Sequence, residues 1–213
     1  MIDLWWTLGV LTLVLVLVLS YWAYASRLDR LHRKVEAAKI GLEAQLVTRS
    51  SVALDIALSG QLDPASSLAL AQACNAVQEE REVCSAGLTG VDSVARLSGL
   101  LTAERTSLES ALSEILREIF TLPGDDAAEE AAEVNLGVDQ GQVDLLAGAW
   151  YRVQLARRFH NEAVAQTQAV RSKWFVRVLR MAGRAPRPLA VDFDDVSPQT
   201  LIGRAPSAPP KSN

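Results

Sequence analysis

The densest chemistry in the chain is "ARRFHNEAV", residues 156–164, where Arg157, Arg158, Phe159, His160 and Asn161 stand side by side. An imidazole among guanidinium groups and a carboxamide suits two roles. His160 could serve as a general base or metal ligand with Arg157 steadying an anion. The same residues could form a cationic and aromatic patch for nucleic acid. Both roles need partners elsewhere in the chain. The one other histidine, His32, lies in "RLHRK", a solvated setting. The acidic fragment "EEREVC" brings Glu79, Glu80 and Glu82 but lacks the E-x-x-H pairing of a di-iron bundle. GxSxG, Walker, GxGxxG and HExxH motifs are all absent. Cys74 and Cys84 would lie about 15 Å apart along one helix and on different faces. They read as free thiols rather than a disulfide or metal pair. A net charge of −4 and the lack of a recognition motif argue against nucleic acid.

Spacing changes the meaning of the opening segment. Leu146, Trp150, Val153, Ala156, His160, Ala163, Thr167, Val170 and Trp174 recur at helical intervals and form one face. His160 therefore faces the protein interior or its edge as a hydrogen-bonded structural residue. Arg157 and Asn161 flank this face and are the candidates for specific polar contacts with a neighbouring element. Arg158 and Glu162 form an i, i+4 pair on another face, in the weaker basic-before-acidic order.

The element that positions the rest is the N-terminus. "LWWTLGVLTLVLVLVLSYWAYAS", residues 4–26, carries no charge and is long enough to cross a bilayer as a helix. Trp5 and Trp6 mark one interface, and Tyr21, Trp22 and Tyr24 the other. "AYA" resembles a signal-peptide cleavage site, but Asp3 and the missing basic n-region favour a retained anchor. Arg27, Arg30, Arg33 and Lys34 follow directly, which predicts a cytoplasmic C-terminal domain by the positive-inside rule.

Beyond the anchor, Leu28, Leu31, Val35, Ala38, Leu42, Leu46, Ala53 and Ile56 continue a helical stripe as far as a stop at Gly60. Asp63 and Pro64 predict an N-cap and a second helix to about Ser85. A third is expected from about Val91 to Phe120, a short acidic segment to Asn135, and a last helix from about Val138 to Met181. Six of the eight prolines lie in residues 184–213, which predicts a flexible tail whose "LAVDFDD" alone has hydrophobic content. Charge is segregated: residues 79–144 hold fifteen acids and four bases, and residues 145–187 nine bases and one acid. This predicts an acidic helix lying beside a basic one. The alternative is a basic end, "RSKWFVRVLRMAGRAPR", that meets anionic lipid or an acidic partner. The expected fold is all-α: a transmembrane helix over residues 1–26, an antiparallel four-helix-bundle-like domain over 27–183 and a Pro-rich tail over 184–213.

In this order the chain resembles the LemA family. The resemblance rests on an N-terminal anchor and on two motifs. "VEAAKIGLEAQLVTR" is similar to the family's V-x-x-A-x-x-x-[LI]-[DE]-x-Q-L-x-x-R, placing Val35, Ala38, Leu42, Glu43, Gln45, Leu46 and Arg49 at its positions. "ARRFHNEAV" is similar to A-R-R-x-Y-N-x-x-V, with His160 where the family usually shows tyrosine. The ending resembles a variant found in actinobacterial relatives in place of a phenylalanine-proline turn. The resemblance implies a long helical bundle on a membrane anchor, with no known enzymatic activity and no cofactor. The expected function is that of a non-enzymatic, single-pass protein held in the bilayer through residues 4–26. It would organise an unidentified protein partner at the membrane, with homo-oligomers compatible and nucleic acid excluded. The alternative is a metal- or histidine-dependent enzyme built around His160, Arg157 and bundle carboxylates. A module passing signals from the anchor is a third reading, disfavoured by the uncharged span and the tiny outside segment.

Overall fold

The computed structural model describes residues 2–86, 101–121, 138–178, 187–202 and 204. Among the described residues every regular element is helical. Helix α1 spans Ile2–Leu58, α2 Pro64–Ala86, α3 Ala103–Phe120, α4 Gln140–Arg171 and α5 Trp174–Val178, followed by a 3-10 turn at Gln199–Leu201. The expected acidic segment and the first part of the expected third helix lie outside the described residues, as does the chain beyond residue 204.

Local chemistry sets the ends. Gly60 adopts φ 71°, the left-handed conformation that closes a helix without a Cβ clash. Asp63 caps α2 by accepting from the Ser66 amide at 3.0 Å. Thr102 does the same for α3 through the Arg105 amide at 3.0 Å. Within α1, the hydroxyls of Thr48, Ser50 and Ser51 bond back to carbonyls of the preceding turn, so these polar residues do not interrupt the helix.

The chain divides into two compact units. The first comprises residues 1–38 and 160–190. Here Leu28 packs with Val170 and Val176, and Val35 with Ala163 and Val164. The apolar part of α1 in this unit is long enough to cross a membrane, and none of it is buried. The second unit comprises residues 39–159 and 191–213. Its core joins four helical segments: Ala53 and Ile56 of α1, Leu70 and Val77 of α2, Leu112, Leu116 and Phe120 of α3, and Leu146 and Trp150 of α4.

Two expectations need correction. The last helix does not run unbroken to Met181. It stops at Arg171, where the Lys173 amide reaches the Val170 carbonyl at 3.3 Å in a tightened turn. The chain then re-enters as α5, and the turn brings Val176 onto Leu28 and leaves Trp174 75% exposed, off the buried stripe. Within the expected tail, residues 191–201 are docked. Val191, Phe193 and Leu201 are buried in the second unit, and Thr200 donates to the Phe120 carbonyl at 2.6 Å. "VDFDD" alternates apolar and acidic residues, offering Val191 and Phe193 to the core and Asp192, Asp194 and Asp195 to flanking arginines.

The two glycines of α1 and its stop should respond in opposite ways to alanine. Gly41 is helical with open space around its Cβ position, so Gly41→Ala should raise stability by up to about 1 kcal/mol. Gly60→Ala meets no atom but keeps the left-handed φ, and should cost about 1 kcal/mol. Denaturant unfolding of the full chain in detergent micelles measures both.

Candidate functional site

The stripe of α1 passes through Leu46, Arg49, Ala53 and Ile56, so Arg49 occupies a core position and is 0% exposed. A guanidinium stripped of water costs several kcal/mol unless paired and fully bonded. The partner comes from α3. Glu109, also 0% exposed, accepts from Arg49 Nη2 at 2.7 Å. Arg49 Nη1 donates to Ser113 Oγ at 2.9 Å, and the guanidinium lies over the Trp150 ring at 5.0 Å from its centre.

The second oxygen of Glu109 accepts from Arg105 Nε at 3.0 Å, one turn earlier on α3. Arg105 Nη2 reaches Glu43 Oε1 at 3.4 Å, and the half-exposed Arg81 of α2 reaches the same oxygen at 3.5 Å. The cluster therefore alternates in sign: Arg49, Glu109, Arg105, Glu43. Its four buried charges cancel, so the core carries dipolar rather than net charge. Cys74 sits close enough to feel Arg49 and Glu109, and burial pushes its thiol up to about 12. Burial also pushes Glu43 above the usual carboxylate range, Arg105 pulling it back and Glu109 adding to the rise.

Beside this cluster a cleft of about 110 Å³ is lined by Val47, Ser50, Ser51, Gln78, Arg81 and Arg105, among others. It has room for a few waters. No group of three or more His, Cys, Asp or Glu side chains gathers as metal ligands among the described residues.

The opening segment serves a second polar cluster. Arg157 holds Asp195 with a two-pronged bridge, Nε to Oδ2 at 2.8 Å and Nη2 to Oδ1 at 2.9 Å. It also pairs with Asp192 at 3.1 Å and lies 5.6 Å from the centre of the Phe193 ring. The Asp195 carbonyl accepts from Trp150 Nε1 at 2.8 Å and Gln154 Nε2 at 2.7 Å. Arg117 of α3 pairs with Asp194 at 2.5 Å. Arg157 thus joins α4 to the docked tail.

The remaining predicted residues separate. His160 is buried, and its Nε2 lies 3.4 Å from the Leu189 carbonyl. Asn161 is half-buried, while Arg158 and Phe159 are exposed. Val35 and Leu42 are buried, Ala38 is half-buried, and Gln45 accepts from Arg152 Nε at 3.2 Å.

Three expectations change here. Arg158 and Glu162 do not pair; Glu162 accepts from Gln166 at 2.9 Å instead, as the unfavourable charge order allows. His32 is half-buried rather than fully solvated. Its Nδ1 meets the Leu28 carbonyl at 3.0 Å and its Nε2 meets Arg171 Nη1 at 3.1 Å, so Nδ1–H donates and Nε2 accepts. Arg157 of the basic helix, with Arg117, pairs with the tail carboxylates rather than with a neighbouring acidic helix. Arg105, Glu109 and Asp195 are not singled out by sequence reasoning. The available signal was Arg105 and Glu109 at i, i+4 within the apolar spacing of Leu101, Leu108, Leu112 and Leu116.

No protein-family model, curated protein sequence or solved structure matches this chain.

Two measurements probe the site. Arg157→Gln removes both prongs to Asp195 at a partly exposed position, so stability should fall by only about 1 kcal/mol. Trypsin should nevertheless cut after Arg204 faster as residues 191–201 loosen; unchanged cleavage contradicts the clamp. The second concerns Glu43, whose folded state holds its proton more tightly than the unfolded chain. That contribution is complete below the ordinary value of 4.5 and is lost as pH rises through the folded value. The stability of the wild type relative to Glu43→Gln should therefore decline from about pH 4.5 towards neutrality. A flat or rising difference contradicts it.

Proposed function

We propose that this chain is a non-enzymatic, single-pass membrane protein of LemA type, a helical bundle that organises protein partners at a membrane surface. The observation that carries this reading is the uncovered apolar stretch of α1. Trp5 and Trp22 are 76% and 70% exposed, and the leucines and valines between them are exposed as well. A stretch of this length left in water would drive aggregation; a hydrocarbon layer covers it without further structure. The same helix goes on to supply Leu42, Leu46 and Arg49 to the core, so it both anchors and builds the domain.

The polar signature residues support a structural role. Arg49 and Arg157 are committed to internal carboxylates at 2.7–2.9 Å, and His160 is buried opposite a backbone carbonyl. Positive charge immediately after the span favours a cytoplasmic bundle.

Alkaline extraction of membranes should leave the full chain in the pellet and release a variant lacking residues 4–26. A protease should remove a C-terminal epitope tag only after the cells are opened. Release of the full chain overturns the anchor, and cleavage in intact cells overturns the sidedness.

A further inference from the structure

The first unit contains a feature that neither the anchor nor the core uses. At the end of α4 the chain turns and lays α5 against α1 at the level where the uncharged span ends. Three contacts fix that level. Lys173 Nζ lies 5.9 Å from the centre of the Tyr24 ring. Val176 packs with Leu28. Arg171 bonds His32 at 3.1 Å. Tyr24 belongs to the aromatic belt of the span, and Leu28 lies about one turn beyond it.

What the corner presents outward is amphipathic. Trp174 is 75% exposed and Val178 69% exposed, while Val176 between them is buried against α1. Lys173 and Arg177 are exposed beside them. Exposed tryptophan with flanking basic residues matches the headgroup zone, where an indole is half-solvated and each lysine or arginine gains from anionic lipid.

We propose that the α4–α5 corner is a second membrane contact, with Trp174 and Val178 seated among the headgroups and Lys173 and Arg177 binding phosphates of anionic lipid. This rests on the reading of α1 as a membrane anchor. The bilayer next to Tyr24 is the surface continuous with the anchor, and its charge is opposite to that of the corner. The contact would hold the end of α4 to the leaflet that α1 leaves.

The test uses the full chain reconstituted into vesicles of phosphatidylcholine alone or mixed with phosphatidylglycerol, each doped with a lipid brominated near the headgroup. The Trp174 signal is the difference between the wild type and Trp174→Phe. It should be quenched strongly in the anionic vesicles and weakly in the zwitterionic ones. Lys173→Gln/Arg177→Gln should lower the docked-to-undocked ratio on the order of tenfold while helicity is retained. Quenching that is absent, or equal in the two vesicle types, overturns the corner contact while flotation of the chain with the vesicles leaves the anchor standing. A chain that does not float with either vesicle overturns both.

Discussion

A guanidinium without water is the constraint around which the second unit is built. Arg49 stands where a leucine would serve, and its burial demands a carboxylate, a hydroxyl and an aromatic face together. Those groups come from α3 and α4, while Arg105 links the same carboxylate to Glu43 of α1 and Arg81 of α2 borders it. Apolar packing alone tolerates sliding. A slip of one turn, about 5.4 Å, would separate Arg49 from Glu109 and leave the guanidinium buried without a carboxylate. The cluster thus sets the register of α1 against α3, at the expense of stability that an apolar core would have gained.

The tail extends the same logic to the edge of the core. Trp150, whose ring faces Arg49, uses its indole N–H to hold the Asp195 carbonyl, and Arg157 holds the Asp195 carboxylate. One tryptophan therefore contacts both polar clusters. The two family-like motifs, far apart in the chain, do different work: the first places Arg49 in the core, and the second places Arg157 on the docked tail.

The repetitive features were legible in the sequence. The uncharged span, the stripe from Leu28 to Ile56, the Gly60 stop and the Asp63 cap depend on local spacing, and local spacing is what a sequence displays. The long-range pairings were not. Arg49 was visible as a signature residue, but nothing local pointed to Glu109, sixty positions on. Arg105 and Glu109 did not stand out, since a charge on an apolar stripe differs from a charge beside one only by a fraction of a turn. Proline content suggested a loose tail after residue 184, whereas two apolar side chains in "VDFDD" and three arginine bridges hold that stretch down. The break at Ser172–Lys173 has no glycine or proline to announce it and arises from the packing of Val176 on Leu28.

The central claim is that Arg49 and Glu109 stabilise the fold as a pair and not as two separate residues. A double-mutant cycle on the full chain in detergent micelles, with Arg49→Met, Glu109→Gln and both together, measures this directly. Each single change should cost about 3–5 kcal/mol, because each takes a partner from a buried ion. The double variant should lose less than the sum, with a coupling energy of about 2 kcal/mol or more. Losses that add to within about 0.5 kcal/mol would contradict the account.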